Sequence, residues 1–269
     1  IGITGSNGKT VVKEWLYQLL SADKNIVKSP KSYNSQIGVP LSVLNMESEN
    51  ELAIFEAGIS TTGEMEKLAK IIQPTVGILT NIGTAHDAGF SSKEEKIQEK
   101  LKLFENCKTF IYSDKYGIKN FSLSPNTSIV SFGESDNASI KIKHKEIKNK
   151  HTVLEIEFPQ NASTRTVLTI PFTDDASVEN TMHCVVAMLQ LGYTIEIIQQ
   201  KIMALRNLPM RLELKYGINN CSIIDDSYSA DFHSLQIALD FFNQQETHKK
   251  KTLIISAFEE SGLSEKDFI

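Results

Sequence analysis

Residues 1–10 read Ile1-Gly-Ile-Thr-Gly-Ser-Asn-Gly-Lys-Thr10, and this stretch decides which fold class the rest of the chain should have. An apolar, strand-like run leads into a glycine loop, and a helical pattern follows. Glycines let backbone N–H groups approach a polyphosphate closely, and the helix N-terminus adds partial positive charge. Lys9 adds a full charge, and the Thr10 hydroxyl suits Mg²⁺. The stretch predicts a phosphate-binding loop made of Gly5, Ser6, Asn7, Gly8, Lys9 and Thr10.

The glycine spacing differs from the commonest phosphate-loop pattern. GxxxxGK[ST] would need a glycine where this chain has Ile3, and the observed order is Gly2-x-x-Gly5-x-x-Gly8-Lys9-Thr10. An ordinary glycine turn before a helix is the alternative interpretation. The Gly-Lys-Thr order between a strand and a helix favours phosphate binding over that alternative.

The composition is typical of a globular protein and limits the classes of function. The chain has 269 residues, enough for one large or two medium domains, with 41% hydrophobic and 23% charged residues. A net charge of −5 argues against a general nucleic-acid binder. No apolar run reaches transmembrane length and there is no signal peptide, so we expect a cytoplasmic protein without membrane insertion.

Two further features concern redox chemistry and chain ends. Cys107, Cys184 and Cys221 lie far apart without a CxxC motif, so we expect free thiols and no structural zinc. The first residue is not Met and lies inside a strand-like run, so we expect the natural N-terminus to lie upstream.

Strands alternate with helices over the first 113 residues, which predicts an α/β fold with a mainly parallel sheet. Glu51–Gly58 is a strand-like run that ends near Glu56, and Thr75–Gly83 is another that ends near His86. Ligands of such sheets lie beyond the carboxyl ends of the strands. The phosphate loop, Glu56 and His86 should therefore meet at one edge of the sheet.

The pattern changes between Thr127 and Phe172, where four short strands predict an antiparallel meander appended to the sheet: Ser128–Phe132, Ser139–His144, Thr152–Phe158 and Arg165–Ile170. A basic run falls on it, and this run is typical of a solvated, charged edge: Lys141, Lys143, Lys145, Lys148 and Lys150.

Helices follow at Ser177–Leu191 and Ile195–Leu205, and Asn207–Met210 marks a domain junction. We expect residues 1–206 to form one domain. Residues 207–269 should be the incomplete start of a second, Rossmann-like α/β domain. Its expected elements are the strands Arg211–Tyr216, Cys221–Asp225 and Leu253–Ser256, with a helix ending near Phe242.

Several ordered motifs together resemble the Mur ligases of peptidoglycan synthesis. They are the loop Ile3–Thr10, the segment Tyr33-Asn-Ser-Gln-Ile-Gly-Val-Pro-Leu41, the strand end Glu56-Ala-Gly-Ile-Ser-Thr-Thr-Gly-Glu64, the segment Asn81-Ile-Gly-Thr-Ala-His86 and the turn Asp225-Asp-Ser-Tyr228. Each is weak alone, but their order and spacing are specific. The resemblance extends over residues 1 to about 257.

The resemblance implies ATP-dependent amide formation through an acyl phosphate, in the branch that joins D-Ala-D-Ala to UDP-MurNAc-tripeptide. It implies that residues 1–206 are an ATP-binding central domain. It implies ATP and two Mg²⁺ ions, with metal ligands at Thr10, Glu56, His86 and Lys100. By the same resemblance Lys9, Lys100 and His86 act in catalysis, and Asn34, Ser35 and Ser60 bind the substrate.

Lys100 is selected as a site residue only by the family resemblance. Lys93, Lys96, Lys100 and Lys102 crowd one helix, a pattern that by itself indicates a solvated face. The segment Lys100-Leu-Lys-Leu-Phe104 matches the family's K-x-x-x-F segment, in which the lysine is carbamylated and helps to hold Mg²⁺. The family's usual K-G-E reads Lys100-Leu-Lys102 here, so the acidic neighbour is lost.

Three residues on the nucleotide side also follow from the resemblance. Asn180 matches the family asparagine beside adenine, although Glu179 replaces the usual histidine before it and His183 a later asparagine. Arg211 and Asp226 resemble the third-domain residues that reach the nucleotide. Three variants are similar to the form of the ligase that is fused to a C-terminal alanine racemase, which we expect in the parent chain: Ile59-Ser60, Glu179-Asn180 and Lys100-Leu-Lys102.

Other functions remain open. A different Mur ligase step or a folylpolyglutamate synthase-like enzyme would use the same nucleotide chemistry with another amine. A non-catalytic ATP-binding module would bind nucleotide without forming an acyl phosphate. A kinase of small metabolites is disfavoured by the glycine spacing of the loop.

Overall fold

The computed structural model describes residues 1–83, 89–118, 123–158, 165–228, 232–245, 248 and 250–255. Strands and helices alternate in its first part: β1 (Gly2–Thr4), α1 (Lys9–Leu20), β2 (Ile26–Lys28), α2 (Gly38–Val43), β3 (Leu52–Glu56), α3 (Glu64–Ile72), β4 (Val76–Leu79), α4 (Lys93–Leu101) and β5 (Thr109–Ser113). The remaining elements are β6 (Ser128–Gly133), β7 (Ile140–Lys148), β8 (His151–Glu157), β9 (Arg165–Ile170), α5 (Asp175–Gln190), α6 (Ile195–Ile202), β10 (Glu213–Tyr216), β11 (Ser222–Asp225) and α7 (Phe232–Gln244).

One large sheet organises the described residues, in the order β2-β3-β1-β4-β5-β6-β7-β8-β9. Neighbours from β2 to β7 pair in parallel, and β7, β8 and β9 pair antiparallel. This arrangement confirms the predicted α/β class, a mainly parallel sheet with an appended antiparallel meander. The carboxyl ends of β1, β3 and β4 lie side by side, because β1 pairs with both of the others.

One strand was assigned to the wrong part of the sheet. The sequence predicts Ser128–Phe132 as part of the meander, whereas β6 pairs in parallel with β5 on one side and β7 on the other. Residues 130–133 are buried, as expected for a strand covered on both faces. The meander is therefore β7, β8 and β9.

Helices cover both faces of the sheet. Adjacent residues of a strand point to opposite faces, and on β4 each of two neighbours packs against a different set of helices. Ile78 packs into the cluster that contains Trp15 of α1 and Met182 of α5, whereas Leu79 packs with Met65 of α3. Each fully buried aliphatic side chain of these clusters contributes about 2 kcal/mol of hydrophobic stabilisation. Packing on both faces thus fixes α1 and β4, the elements on either side of the phosphate loop.

The last part of the described chain differs from its prediction. β10 and β11 form a two-stranded antiparallel pair, followed by α7. Residues 253–255 are exposed and lie outside any strand, so the predicted strand Leu253–Ser256 is absent from the described residues. The division into domains 1–206 and 207–269 stays a prediction. Among the described residues, no helix is both long enough and apolar enough to cross a membrane.

Candidate active site

The glycines of the phosphate loop are required by its backbone and its neighbours. Gly5 and Gly8 have φ angles of 152° and 83°, which residues other than glycine rarely adopt. A Cβ on Gly5 would lie 2.0 Å from Thr80 Oγ1, and one on Gly8 would lie 2.5 Å from Asn180 Oδ1. Gly8 is the residue before α1, so the loop leads directly into the helix N-terminus.

Polar groups at the end of β4 hold the loop in place. The Asn7 backbone N–H donates to Asn81 Oδ1 at 2.6 Å, and the Thr80 hydroxyl donates to the Asn7 carbonyl at 2.6 Å. The Ser6 N–H donates to the Asn81 carbonyl at 3.0 Å. These bonds fix the backbone of a loop that a phosphate group would approach.

Two lysine ammonium groups converge on this loop. Lys9 Nζ donates to the carbonyls of Gly5 and Ser6, at 3.0 and 2.9 Å. Lys100 Nζ, on α4, donates to the same Gly5 carbonyl at 3.2 Å. The Lys100 side chain is buried, so two like charges lie close together in a site of restricted solvent access.

The interpretation of the α4 lysines as a solvated face is wrong for two of them. Lys96 and Lys100 are 1% and 3% exposed, and Lys96 Nζ donates to the Gly83 carbonyl. The reason is that α4 turns these side chains toward carbonyl groups at the ends of β1 and β4. Glu99 is also buried, and its carboxylate accepts from the backbone N–H groups of Gly63 and Met65 at the start of α3.

An oxygen cluster lies beside the loop. The Thr10 hydroxyl donates to Glu56 Oε2 at 2.9 Å and lies 3.1 Å from the Ser32 hydroxyl. Glu56 is fully buried at the end of β3. Two hydroxyls and a carboxylate are hard oxygen donors of the type that Mg²⁺ prefers, so the residues present suit that ion.

Lys13 is part of this cluster and was missed by the sequence interpretation. Its Nζ lies 3.0 Å from Glu56 Oε1, and both side chains are fully buried. A signal was available, because a carboxylate at the end of a buried strand needs a partner. Lys13 follows Thr10 by one helical turn, and so it could have been proposed as that partner.

Two cavities flank the loop. One, of about 400 Å³, is lined by the loop, by predicted substrate residues and by both converging lysines: Gly5, Lys9, Asn34, Ser35, Gln36, Ile37, Gly58, Ile59, Ser60, Glu64 and Lys100. The other, of about 70 Å³, is lined by Asn7, Gly8, Val11, Trp15, Ala176, Ser177, Asn180, Asn207, Leu208, Arg211, Leu212, Asp226, Ser234 and Ile237. The structure thus brings Asn34, Ser35 and Ser60 together in the larger cavity, with Gly5 and Lys9 of the loop. It brings Asn180, Arg211 and Asp226 together in the smaller one, with Asn7 and Gly8.

The smaller cavity is lined by residues of the phosphate loop, α1 and α5 on one side and by residues after α6 on the other. Arg211 stacks on Tyr228, with its guanidinium carbon 4.1 Å from the ring centroid. Burial lowers the pKa of the Arg211 guanidinium, which is opposed by Tyr228 and by the charge of Glu56. Asp226 Oδ1 accepts from the Leu212 N–H at 3.0 Å. Asn180 lies in the second turn of α5.

The two unusual residues of α5, Glu179 and His183, line neither of these two cavities. Glu179 pairs with Lys115, and burial raises the pKa of its carboxyl group. His183 is fully buried, its Nε2 lies 2.9 Å from the Thr80 carbonyl, and burial lowers its pKa to about 4. His183 is therefore neutral, and it supports the residue that holds the phosphate loop.

Two points concern the predicted metal ligands. His86 lies outside the described residues. Across the ranges that the structure describes, no group of three or more His, Cys, Asp or Glu side chains could hold a metal ion. The oxygen donors that converge beside the phosphate loop are one carboxylate, Glu56, and two hydroxyl groups, Thr10 and Ser32. Hydroxyl groups are not among those four types of side chain.

The chain is similar to known proteins over most of its length. The family described as Mur ligase middle domain matches residues 3–188. A relative from Bacillus subtilis, UDP-N-acetylmuramoyl-tripeptide–D-alanyl-D-alanine ligase, is 29% identical over 100% of this chain and 58% of its own length. The enzyme of the same name from Borreliella burgdorferi is 30% identical over 97% of this chain and 56% of its own length.

Solved structures give the same likeness. A crystal structure of MurF from Acinetobacter baumannii has a TM-score of 0.79 and 25% identity, covering 91% of this chain and 54% of that one. The chain spans about half the length of the curated relatives it matches.

Proposed function

The chain belongs to the Mur ligase family, and on this premise we propose that it forms the ATP-binding catalytic part of a ligase that adds D-Ala-D-Ala to UDP-MurNAc-tripeptide. The names of the relatives from Bacillus subtilis and Borreliella burgdorferi support the choice of branch. The proposal places residues 1–206 in the central domain and residues 207–269 in the third, and it places the enzyme in the cytoplasm.

The position of the phosphate loop between two cavities carries this proposal. Asn7 and Gly8 line the cavity that holds Asn180 and Arg211, whereas Gly5 lines the cavity that holds Ser60. A nucleotide on the Asn180 side would direct its terminal phosphate across the loop toward the Ser60 side. A pure binding site for ATP has no need of the second cavity.

The first chemical step is the transfer of the terminal phosphoryl group. A carboxylate oxygen of the bound peptide attacks the γ-phosphorus, the bond to the β-phosphate oxygen breaks, and ADP leaves behind an acyl phosphate. Two anions must approach each other in this step, so positive charge at the loop is needed. The Lys9 ammonium and the backbone N–H groups at the start of α1 provide it.

Thr10 and Glu56 would hold Mg²⁺, and their position beside the loop suits an ion bound to the β- and γ-phosphates. A bound Mg²⁺ supplies further charge neutralisation of the phosphoryl oxygens. His86 is the proposed ligand of a second ion, by the family resemblance. Arg211 and Asp226 would reach the nucleotide from the other side of its cavity.

Lys100 is proposed to carry a carbamate. Its amine nitrogen would attack CO₂ and lose a proton, which replaces an ammonium by an anionic oxygen ligand. The closeness of Lys9 and Lys100 supports this, because both ammonium groups donate to the Gly5 carbonyl and repel each other. A carbamate on Lys100 converts that repulsion into attraction.

The second step forms the amide bond. The amine of D-Ala-D-Ala attacks the carbonyl carbon of the acyl phosphate, a tetrahedral intermediate forms, phosphate leaves and the nitrogen loses a proton. Asn34, Ser35 and Ser60 are the proposed contacts for the peptide substrate in the larger cavity. Burial of this step in a cavity limits hydrolysis of the acyl phosphate. The C-terminal racemase domain stays a prediction from the sequence.

ADP release by the whole gene product tests the proposal. We expect release that requires ATP, Mg²⁺, UDP-MurNAc-tripeptide and D-Ala-D-Ala together. With ¹⁸O in the tripeptide carboxylate, one label should appear in the phosphate product, as an acyl phosphate requires. Another amine that supports faster release would favour a different Mur step or a folylpolyglutamate synthase-like enzyme. Nucleotide binding without any ADP release would favour a non-catalytic module.

A further inference from the structure

We propose that Lys13 is a positioning residue that sets the orientation of Glu56 and Ser32 at the magnesium site. The inference rests on the proposed function and adds a residue to it. Lys13 touches no part of the phosphate loop's cavities, so it would act on the ion through the side chains that hold it. Its burial and its contacts carry the argument.

The first step is that Lys13 and Thr10 divide the Glu56 carboxylate between them. Lys13 Nζ contacts Oε1 at 3.0 Å, and the Thr10 hydroxyl contacts Oε2 at 2.9 Å. Both residues come from α1 and are one turn apart, so their side chains lie on the same face. The carboxylate cannot rotate without losing one of these contacts. Oε2 is therefore kept on the side of the phosphate loop.

The second step concerns the backbone before Ser32. Lys13 Nζ also donates to the Ser29 carbonyl at 2.8 Å and to the Lys31 carbonyl. Lys31 has a φ angle of 46°, in the left-handed region that a lysine rarely adopts. A buried ammonium that binds its carbonyl helps to hold this conformation. Ser32 comes next, and its hydroxyl lies 3.1 Å from Thr10 Oγ1.

The third step is electrostatic. Glu56 is fully buried and would be costly to keep ionised alone, and Lys13 is the cation beside it. The ammonium group donates to Ser29 O, Lys31 O and Glu56 Oε1, and it also lies 3.2 Å from Glu14 Oε1. The lysine thus joins the segment after β2 to the end of β3, around the oxygen donors. Such outer contacts orient the residues that bind a metal.

Metal binding measured apart from turnover tests the inference. We would measure by EPR the affinity of the wild type and the Lys13→Met variant for Mn²⁺, with a non-hydrolysable ATP analogue bound. The affinity of the analogue itself would be measured in EDTA. We expect Lys13→Met to weaken Mn²⁺ binding about 10- to 100-fold and to change binding of the metal-free analogue less than about twofold. Lys70→Met, which removes the partner of Glu66 in an exposed pair on α3, is the control and should behave as the wild type.

The outcomes separate a positioning role from a structural one. Unchanged Mn²⁺ affinity, or an equal loss of Mn²⁺ and metal-free analogue binding, would overturn the inference alone. A wild type that binds the analogue equally well with and without metal would overturn the proposed function, and the inference with it.

A second comparison decides the matter if Lys13→Met does not fold. Variants that carry Glu56→Gln remove the negative charge of the pair, so that Lys13→Met no longer leaves a carboxylate buried alone. If Lys13 acts through Glu56 and Ser32, the triple variant Lys13→Met/Ser32→Ala/Glu56→Gln and the double variant Ser32→Ala/Glu56→Gln should have the same Mn²⁺ affinity within about twofold. A further tenfold loss in the triple variant would contradict the inference.

Discussion

Two parts of this chain are rich in lysine, and the fold treats them in opposite ways. On α4, Lys96 and Lys100 are almost fully buried and donate to backbone carbonyls at the ends of β1 and β4. On β7, residues 143–148 are exposed, and Lys143 and Lys145 pair with the carboxylates of Glu157 and Asp175. Both stretches look like solvated surfaces in the sequence.

The difference shows what decides the role of a lysine. Burial of an ammonium group costs several kcal/mol unless oxygen partners surround it. On the meander, carboxylates at the surface neutralise the charge of Lys143 and Lys145. The sheet edge offers the α4 lysines backbone carbonyl groups beside the proposed phosphate site. Among the described lysines, the buried ones of α4 thus lie at the candidate site, and the exposed ones of β7 lie on the meander.

The largest effect expected from this contrast is on catalysis. If Lys100 acts as proposed, Lys100→Ala should lower kcat about 100-fold or more, because the proposed role stabilises charge at the reacting phosphoryl group. Formate or acetate should restore part of the activity, since a short carboxylate can occupy the place of the proposed carbamate. Steady-state ADP release with and without these anions would measure both effects.

Lys102→Ala is the control for that prediction. Lys102 lies two residues further along the chain, its side chain is 35% exposed, and it pairs with Glu99. We expect it to keep nearly full activity. Full activity of Lys100→Ala without added CO₂ or carboxylate would show that the buried Lys100 is not required for catalysis.

The next effect concerns buried and exposed histidines, and it appears as a pH dependence of stability. Burial lowers the pKa of His183 to about 4 from 6.5, so the unfolded chain binds a proton more readily than the folded one between these values. This contribution to stability is complete above about pH 6.5 and is lost as the pH falls toward 4, by about 3 kcal/mol in all. Urea unfolding at several pH values would measure the slope.

The variant His183→Asn should flatten that slope, because it has no titrating group and keeps an amide that can donate to the Thr80 carbonyl. The free energy of unfolding of this variant near neutral pH should be lower than that of the wild type. The comparison therefore uses the change of the free energy of unfolding with pH, and not its value at one pH. His144→Gln, at an exposed position of β7, should retain the slope. An unchanged slope in His183→Asn would exclude this histidine as its source.

Much of the site followed from the sequence, because it depends on local order along the chain. Strand, glycine loop and helix occur in sequence, and parallel strands present their carboxyl ends at one edge. The meeting of Thr10 with Glu56 is a consequence of these two facts, and it holds at 2.9 Å. The mainly parallel sheet with its meander also followed from the alternation of strands and helices.

The remainder depends on tertiary partners, which a local pattern does not contain. The direction of β6 is set by β5 and β7, and an alternating strand can pair in either direction. Burial of Lys96 and of Lys13 depends on which backbone carbonyls lie opposite, and these come from distant segments. Lys13 stands among apolar residues of α1, and only the need of Glu56 for a partner pointed toward it.

The smallest effect is expected on the meander, and it tests the other side of the comparison. Lys145 pairs with Asp175, the first residue of α5, and both side chains are partly or largely exposed. We expect Lys145→Ala to lower the free energy of unfolding by less than about 1 kcal/mol, since water and salt screen such pairs. The loss should shrink further in 1 M salt, and kcat should not change. A loss of activity comparable to that of Lys100→Ala would mean that the meander lysines also serve the site. The solvent-exposed carboxylate of Asp175 argues against that outcome, because a cation already neutralised at the surface adds little to the potential at a buried phosphate.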